Sequence, residues 1–156
     1  MRRRTAYSGL CLLLLAAGCA HQRASWNWTK EIIATDAAPR AIGPYSQAVR
    51  VGPWLFVSGQ IAIKPSTGEL VTSDFDSELR QVLENVGAIL RAAGMDYRDV
   101  VQATVFLSDL SFYAKLNEVY STYFRGDFPA RCAVQVARLP RDVHVEVAVI
   151  AYRAER

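Results

Sequence analysis

Between residues 74 and 93 the apolar side chains fall at helical spacing, with Phe75, Leu79, Val82, Val86, Ile89, Leu90 and Ala93 on one stripe. That pattern predicts a helix, with Ser73 as its N-cap and Gly94 just past its end. A second stripe, Leu116, Val119, Tyr120 and Tyr123, predicts a helix over 112–124 opened by Ser111. Elsewhere the pattern is that of strands. Residues 30–35 read as a short strand, and 48–51 with 54–58 read as a hairpin around Gly52-Pro53. The stretch 65–68 is a turn signal, and the β-branched run over 99–107 predicts a buried strand. Two alternating runs close the chain, 128–136 and 143–149. The link between them is too short for a parallel crossover, so those two strands, if paired, are antiparallel. The order βββ-α-β-α-ββ predicts one α+β domain, a sheet with two helices on one face.

Such a layer leaves a second sheet face without helices. Val100-Val101 and 147–151 are apolar at nearly every position, which predicts burial on both sides and therefore oligomerisation, with a site between chains.

The chain starts differently. Met1-Arg2-Arg3-Arg4 is a basic leader to a short apolar run over 6–17, too short to span a bilayer comfortably. Ala16-Ala17-Gly18-Cys19 follows, and small residues before a cysteine resemble the lipobox of bacterial lipoproteins. The resemblance implies a signal peptide over 1–18, lipidation of Cys19, a tether over 19–28 and the domain over 29–156. Ala16 departs from that pattern, which most often has Leu there; an ordinary secretory signal is the alternative. Several acyl chains would hold the protein stably, where one would be marginal. The expected location is the bacterial cell envelope, on the periplasmic side of the outer membrane. Trp26 and Trp28 would lie at the membrane interface or pack on the domain.

Removal of the leader changes the charge balance. The full chain has 18 Lys and Arg against 15 Asp and Glu, but the leader holds Arg2, Arg3 and Arg4 and no acid, leaving 15 against 15. No strand or helix carries a basic stripe, so a nucleic-acid partner is not expected. Cys11 lies in the leader and Cys19 is the lipid site, which leaves Cys132 without an internal disulfide partner. His21 falls in the tether. One His and one Cys do not make a zinc-type set, so no metal is expected.

The candidate chemistry sits in the closing strands. Arg131 and Glu146 each stand alone on an otherwise quiet strand face. A fixed cation and a carboxylate suit a small carboxylate-bearing molecule with a water beside it, or they form only a cross-strand ion pair, worth about 0–1 kcal/mol if exposed.

Several motifs then occur in one order. They are Ile33-Ala34-Thr35, Ala38-Pro39, Ala41-Ile42-Gly43-Pro44-Tyr45-Ser46-Gln47-Ala48-Val49, Ser58-Gly59-Gln60-Ile61, Asn85-Val86, Ala92-Ala93-Gly94 and Thr104-Val105-Phe106-Leu107. Asn117-Glu118-Val119-Tyr120, Phe128-Pro129-Ala130-Arg131 and Val136-Ala137-Arg138-Leu139-Pro140 complete the set. Together they resemble the RidA (YjgF, Rid) reactive-intermediate deaminases over 31–153. The resemblance implies a chorismate-mutase-like α+β fold, a homotrimer with clefts between subunits, and hydrolysis of 2-imino or enamine acids to 2-keto acids and ammonia without a cofactor. It makes Arg131 the binder of the substrate carboxylate, whose planar fork suits that group. Glu146 becomes the residue that positions or deprotonates water. Tyr45, Ser58 and Gly59 line the other side of the cleft, and Asn117 stands near its rim.

One departure is Ala133, where the family often has a cysteine thought to act through its backbone carbonyl. Cys132 is one place early and by alternation faces away from Arg131, so it is expected to be a buried structural thiol. Tyr45 also reads as core beside the Gly43-Pro44 turn, and Asn117 as a solvated helix residue. His144 shares the strand parity of Glu146 and is expected at the surface, with tuning of Glu146 as the alternative. Asp74, Asp76 and Glu78 read as charges favoured at a helix N-terminus. Two function classes follow: a lipid-anchored imine deaminase, and a non-catalytic envelope protein that binds small carboxylates or acts as a scaffold.

Overall fold

Six strands and two helices carry the chain in a computed structural model, which describes residues 28–154. The strands are β1 (Lys30–Ile33), β2 (Ala48–Val51), β3 (Trp54–Gln60), β4 (Val100–Leu107), β5 (Ala130–Gln135) and β6 (Val145–Tyr152). The helices are α1 (Phe75–Ala92), between β3 and β4, and α2 (Tyr113–Tyr123), between β4 and β5. They form one mixed sheet in the order β1-β2-β3-β6-β4-β5. This is the expected chorismate-mutase-like α+β layer. The expected leader, Cys19 as the expected lipid site, Trp26 and nearly all of the expected tether lie outside the described residues.

The helices take the expected stripes with small shifts at their ends. Asp74 is the N-cap of α1 in place of Ser73, because its carboxylate accepts the Ser77 N–H at 2.8 Å. That bond holds the Asp74 carboxyl below its usual range. Gly94 adopts φ +69° and the chain closes by Met95 N–H to Leu90 O at 2.9 Å, as expected of a glycine past a helix end. The second helix starts at Tyr113 without a side-chain cap, so Ser111 does not serve as one.

The closing strands differ from the simplest reading. β6 runs antiparallel between β3 and β4, and β5 lies parallel to β4 at the far edge. They therefore do not pair with each other. The α2 crossover carries the chain from β4 to β5 in the same direction, which makes that pair parallel. The 136–144 segment then takes the chain past β4.

Both helices pack on one face over a core that includes Leu55, Val57, Ala103, Val105, Val147 and Val149. The opposite face is left open and apolar, with Ile32, Trp54, Phe56 and Tyr152 all exposed. Trp28 packs on the domain, against the β2–β3 turn. A Cβ at Gly52 would come 2.5 Å from its ring, and Gly52 also needs φ +54°.

Polar side chains buried in this fold serve irregular backbone. Gln47 donates to the carbonyls of Thr35, Ala38 and Pro39 and accepts from the Thr35 N–H at 2.7 Å. Asn85 of α1 donates to the carbonyls of Ile61 and Ile63 at 3.0 and 2.9 Å, holding the segment that leaves β3. Replacing Asn85 by Leu keeps the volume but strands the Ile63 carbonyl and leaves Ile61 O with only the Ile63 N–H. The expected loss is about 1–3 kcal/mol of stability, read from the urea unfolding midpoint.

Candidate functional site

The first half of the site is built where β3 ends and β6 begins. The pairing of β3 with β6 slips by one residue between Val57 and Gln60, a bulge that falls on Ser58 and Gly59. Gly59 has no side chain to collide with Glu146: a Cβ there would sit 1.8 Å from Glu146 Oε1. The Glu146 carboxylate fills that gap, half-buried, and burial alone pushes its pKa up from the ordinary value. Ser58 is fixed by its hydroxyl donating to the Ser46 carbonyl at 2.7 Å and by its N–H donating to Gln47 O. Tyr45 is 46% exposed, so it is not core; its hydroxyl accepts the Ile42 N–H at 3.3 Å and steadies the 42–45 turn. With Ile42, Ile61 and Pro140 these residues enclose an open cleft of about 490 Å³. It offers one carboxylate, two hydroxyl groups and an apolar wall.

The second half is assembled by α2 and β5. Tyr113, Asn117 and Tyr120 recur at helical spacing and share one face of α2. Arg131 of β5 reaches across to all three. Its Nη2 donates to Asn117 Oδ1 at 2.5 Å and to the Tyr113 hydroxyl at 3.4 Å. Its guanidinium lies over the Tyr120 ring, 4.8 Å from the centroid. Tyr120 stacks on Phe124 at 4.1 Å and is nearly fully buried, which raises its phenol to about 12 and keeps it neutral. Asn117 is thus no idle surface residue: it orients the cation. Ala133 lies two residues further along β5, on the same face and packed against the core.

Within one chain the halves do not meet. Arg131 stands in register with Ala103 and Val149, on the helix-covered face. Glu146 stands in register with Phe106, three residues away on β4, and so on the other face. Three residues and two strand spacings amount to about 10 Å along the sheet and about 10 Å across it. A cross-strand Arg131–Glu146 ion pair is thereby ruled out within the chain. Tyr45, Ser58, Gly59 and Glu146 share one cleft; Arg131, Asn117 and Ala133 lie on the opposite, helix-covered side of the sheet.

Two further expectations need correction. Cys132 is exposed and not a buried thiol, because its register with Thr104 puts it on the open face. For His144 the surface reading agrees with a half-exposed ring, and the alternative, a neighbour that tunes Glu146, fails. His144 precedes β6, and its Nδ1 sits 2.7 Å from Glu78 Oε2 on α1. Glu78 is more than a helix N-terminal charge, since its side chain is fully buried. The motifs contain Ile42, Ile61, Tyr120 and Pro140 but gave none of them a place at the site, and they do not include Tyr113. The i, i+4, i+7 recurrence on α2 was a usable signal for the two tyrosines. Among the described residues no cluster of three or more His, Cys, Asp or Glu is placed to hold a metal ion.

Comparison with known proteins agrees over the whole domain. A family model described as Endoribonuclease L-PSP matches residues 35–153. A RutC family protein of Pyrococcus horikoshii is 54% identical over 124 residues, which cover 80% of this chain and 98% of that protein. The 2-iminobutanoate/2-iminopropanoate deaminase of Mus musculus is 49% identical over 122 residues, 78% of this chain and 90% of that one. Among solved structures, E. coli TdcF with bound serine has a TM-score of 0.76 at 46% identity, covering 80% of this chain and 99% of that one.

The geometry at Gly59 is directly testable. Gly59→Ala displaces the Glu146 carboxylate from its gap towards water. The expected results are a cost of about 1–3 kcal/mol in stability and a Glu146 pKa that falls back towards the ordinary value, followed by thermal unfolding and carbon-13 NMR titration.

Proposed function

This chain belongs to the RidA/YjgF (Rid) family, to which the Endoribonuclease L-PSP model corresponds, and on that premise we propose that it hydrolyses 2-imino or enamine acids to 2-keto acids and ammonia. The reaction takes place in clefts shared between the subunits of a homotrimer. One observation carries this reading: the cation and the carboxylate lie on opposite faces of one sheet, so only a second copy can bring them together. The open apolar face supplies the surface for that copy. The deaminase relative supports the choice of reaction. Serine bound in the TdcF structure supports a substrate of amino-acid size. An apolar wall of Ile42, Ile61 and Pro140 beside a single carboxylate suits a small carboxylic acid better than a polynucleotide.

The roles follow from charge and position. Arg131 of one subunit grips the substrate carboxylate as a fixed fork, pre-oriented by Asn117 and Tyr113. This leaves the C=N carbon facing Glu146 of the neighbouring subunit. Glu146 takes a proton from a water as the water oxygen attacks that carbon, and the C=N electron pair moves to nitrogen. Glu146 then returns its proton to the carbinolamine nitrogen; the oxygen lone pair forms C=O as the C–N bond breaks, and the hydroxyl proton leaves with the ammonia as ammonium. Burial makes Glu146 a better base than an ordinary glutamate. An electrophilic iminium held in place needs little beyond orientation and a positioned water.

With imine generated by an amino-acid oxidase, soluble protein from residue 25 onwards is expected to speed imine loss over buffer. Arg131→Ala should lower kcat/KM by about 10–100-fold, and Glu146→Gln should lower kcat by about 100-fold or more. Mixed trimers of the two variants provide the decisive result. Random assortment restores about one cleft in four if the site is shared between subunits, and none if it lies within one. No acceleration by the native protein would leave the chain a non-catalytic binder of small carboxylates.

We also propose that Cys19 carries the lipid anchor, on the periplasmic side of the outer membrane. The support is the basic leader, the apolar run and the small residues before Cys19. Among the described residues no helix is long and apolar enough to cross a membrane. Labelled palmitate is expected to enter the native protein and not Cys19→Ser.

A further inference from the structure

Among the described residues Glu78 is the one charged side chain that is fully buried, and the reaction above gives it no part. It is fully occupied nonetheless. Oε1 accepts the backbone N–H of His144 at 2.6 Å and that of Val145 at 3.3 Å. Oε2 lies 2.7 Å from His144 Nδ1. The His144 ring meets Phe112 edge-on at 5.5 Å, and Phe112 stacks on Phe75, which opens α1 three residues before Glu78. On the other side the His144 carbonyl accepts the Ser108 N–H at 2.9 Å, just past the end of β4. The residue before β6 and the first residue of that strand are therefore gripped by α1 and by β4 together. Glu146 is the next residue.

What precedes this grip needs holding. Arg141 and Asp142 take φ +57° and +58°, in succession and without glycine. Two left-handed residues persist only where the surroundings over-determine them. The Glu78 bonds fall at the exit of that turn, where the chain returns to the sheet. A buried carboxylate is also a poor way to gain stability, because an apolar side chain of similar volume packs without the desolvation penalty. Its distinctive property here is that one rigid group ties two successive backbone N–H groups and a ring at once.

We propose that Glu78 is the positioning residue for Glu146: through His144 and Val145 it sets where β6 begins, and hence where the Glu146 carboxylate stands against Gly59. The consequence is selective. Arg131 is held by Asn117 and Tyr120, which make none of these contacts; the His144 ring reaches only Phe112, just before the start of α2. Substrate capture and water activation are thus supported by separate parts of the fold.

The test rests on the deaminase reading for its kinetic arm and is independent of it in its structural arm. In the full-length trimer, Glu78→Leu should lower kcat by about ten- to a hundredfold. KM for the imino acid should stay within about twofold. Glu78→Gln, which keeps the acceptor for both backbone N–H groups, should recover most of the rate. His144→Ala removes only a half-exposed ring, so it folds even if Glu78→Leu does not, and should give an intermediate loss of kcat. Amide hydrogen exchange should quicken about tenfold over 143–147 in Glu78→Leu, with α2 and β5 unchanged. Unchanged kcat and unchanged exchange in both Glu78→Leu and His144→Ala would overturn the proposal. So would exchange that quickens evenly over the whole domain, which marks Glu78 as a general stabiliser. If the native protein hydrolyses no imine, the deaminase reading falls and the exchange pattern alone decides on Glu78.

Discussion

Successive side chains of a strand leave opposite faces of the sheet, and that alternation governs the site of this protein. Arg131 follows the parity of Ala103 and faces the helices; Glu146 follows the parity of Phe106 and faces the open side. With β4 standing between their strands, no rotamer brings the two groups together in one chain. A slip of one residue would reverse either group, so the register of β6 against β3 and β4 decides which face each group takes. The apolar open face then has two uses: it would bury surface against another copy, and it would bring that copy's cation to the carboxylate.

The buried polar groups show where the fold resists irregularity. Gln47, Gln60, Glu78 and Asn85 are the described polar residues with buried side chains, and all four serve backbone around the Glu146 cleft. Gln47 ties the 35–39 loop to the start of β2, and Gln60 donates to the carbonyls of Ser58 and Gly59 in the bulge. Asn85 holds Ile61 and Ile63, and Glu78 holds the approach to β6. Regular strands satisfy their own hydrogen bonds; a bulge and three tight loops do not, so side chains must supply the partners. The cation, by contrast, rests on regular structure. Three residues of one helix face hold it, two of them aromatic, giving it direction without cancelling its charge.

Much of this was legible in the chain. The stripe on α1, the hairpin at Gly52-Pro53 and the β-branched run of β4 are local patterns, and they formed as expected. The ordered motifs around Tyr45, Ser58-Gly59, Asn117 and Arg131 picked out residues that the structure gathers into two groups, one at the Glu146 cleft and one on α2 and β5. Misreadings came where position depends on what lies beside a strand. Cys132 was expected to be buried because it is apolar and faces away from Arg131, but it sits on the open side of an edge strand. Parity left His144 open as a neighbour of Glu146 beside the surface reading, although it precedes the strand and turns towards α1. Glu78 looked like a charge for the helix dipole, since nothing local shows that two backbone N–H groups from residues 144 and 145 arrive at its carboxylate.

By itself the amino-acid sequence determined the element order, the α+β class, the family and the candidate groups for chemistry. These depend on periodicity, turn chemistry and motif order, all of which are carried by neighbours along the chain. Tertiary structure alone decided that β5 and β6 are separated by β4, and that Arg131 and Glu146 face opposite ways. It alone decided that Gly59 makes room for a carboxylate and that Glu78 grips the start of β6. Each of these is set by contact between residues tens of positions apart, where strand order and register, rather than local propensity, fix which atoms meet.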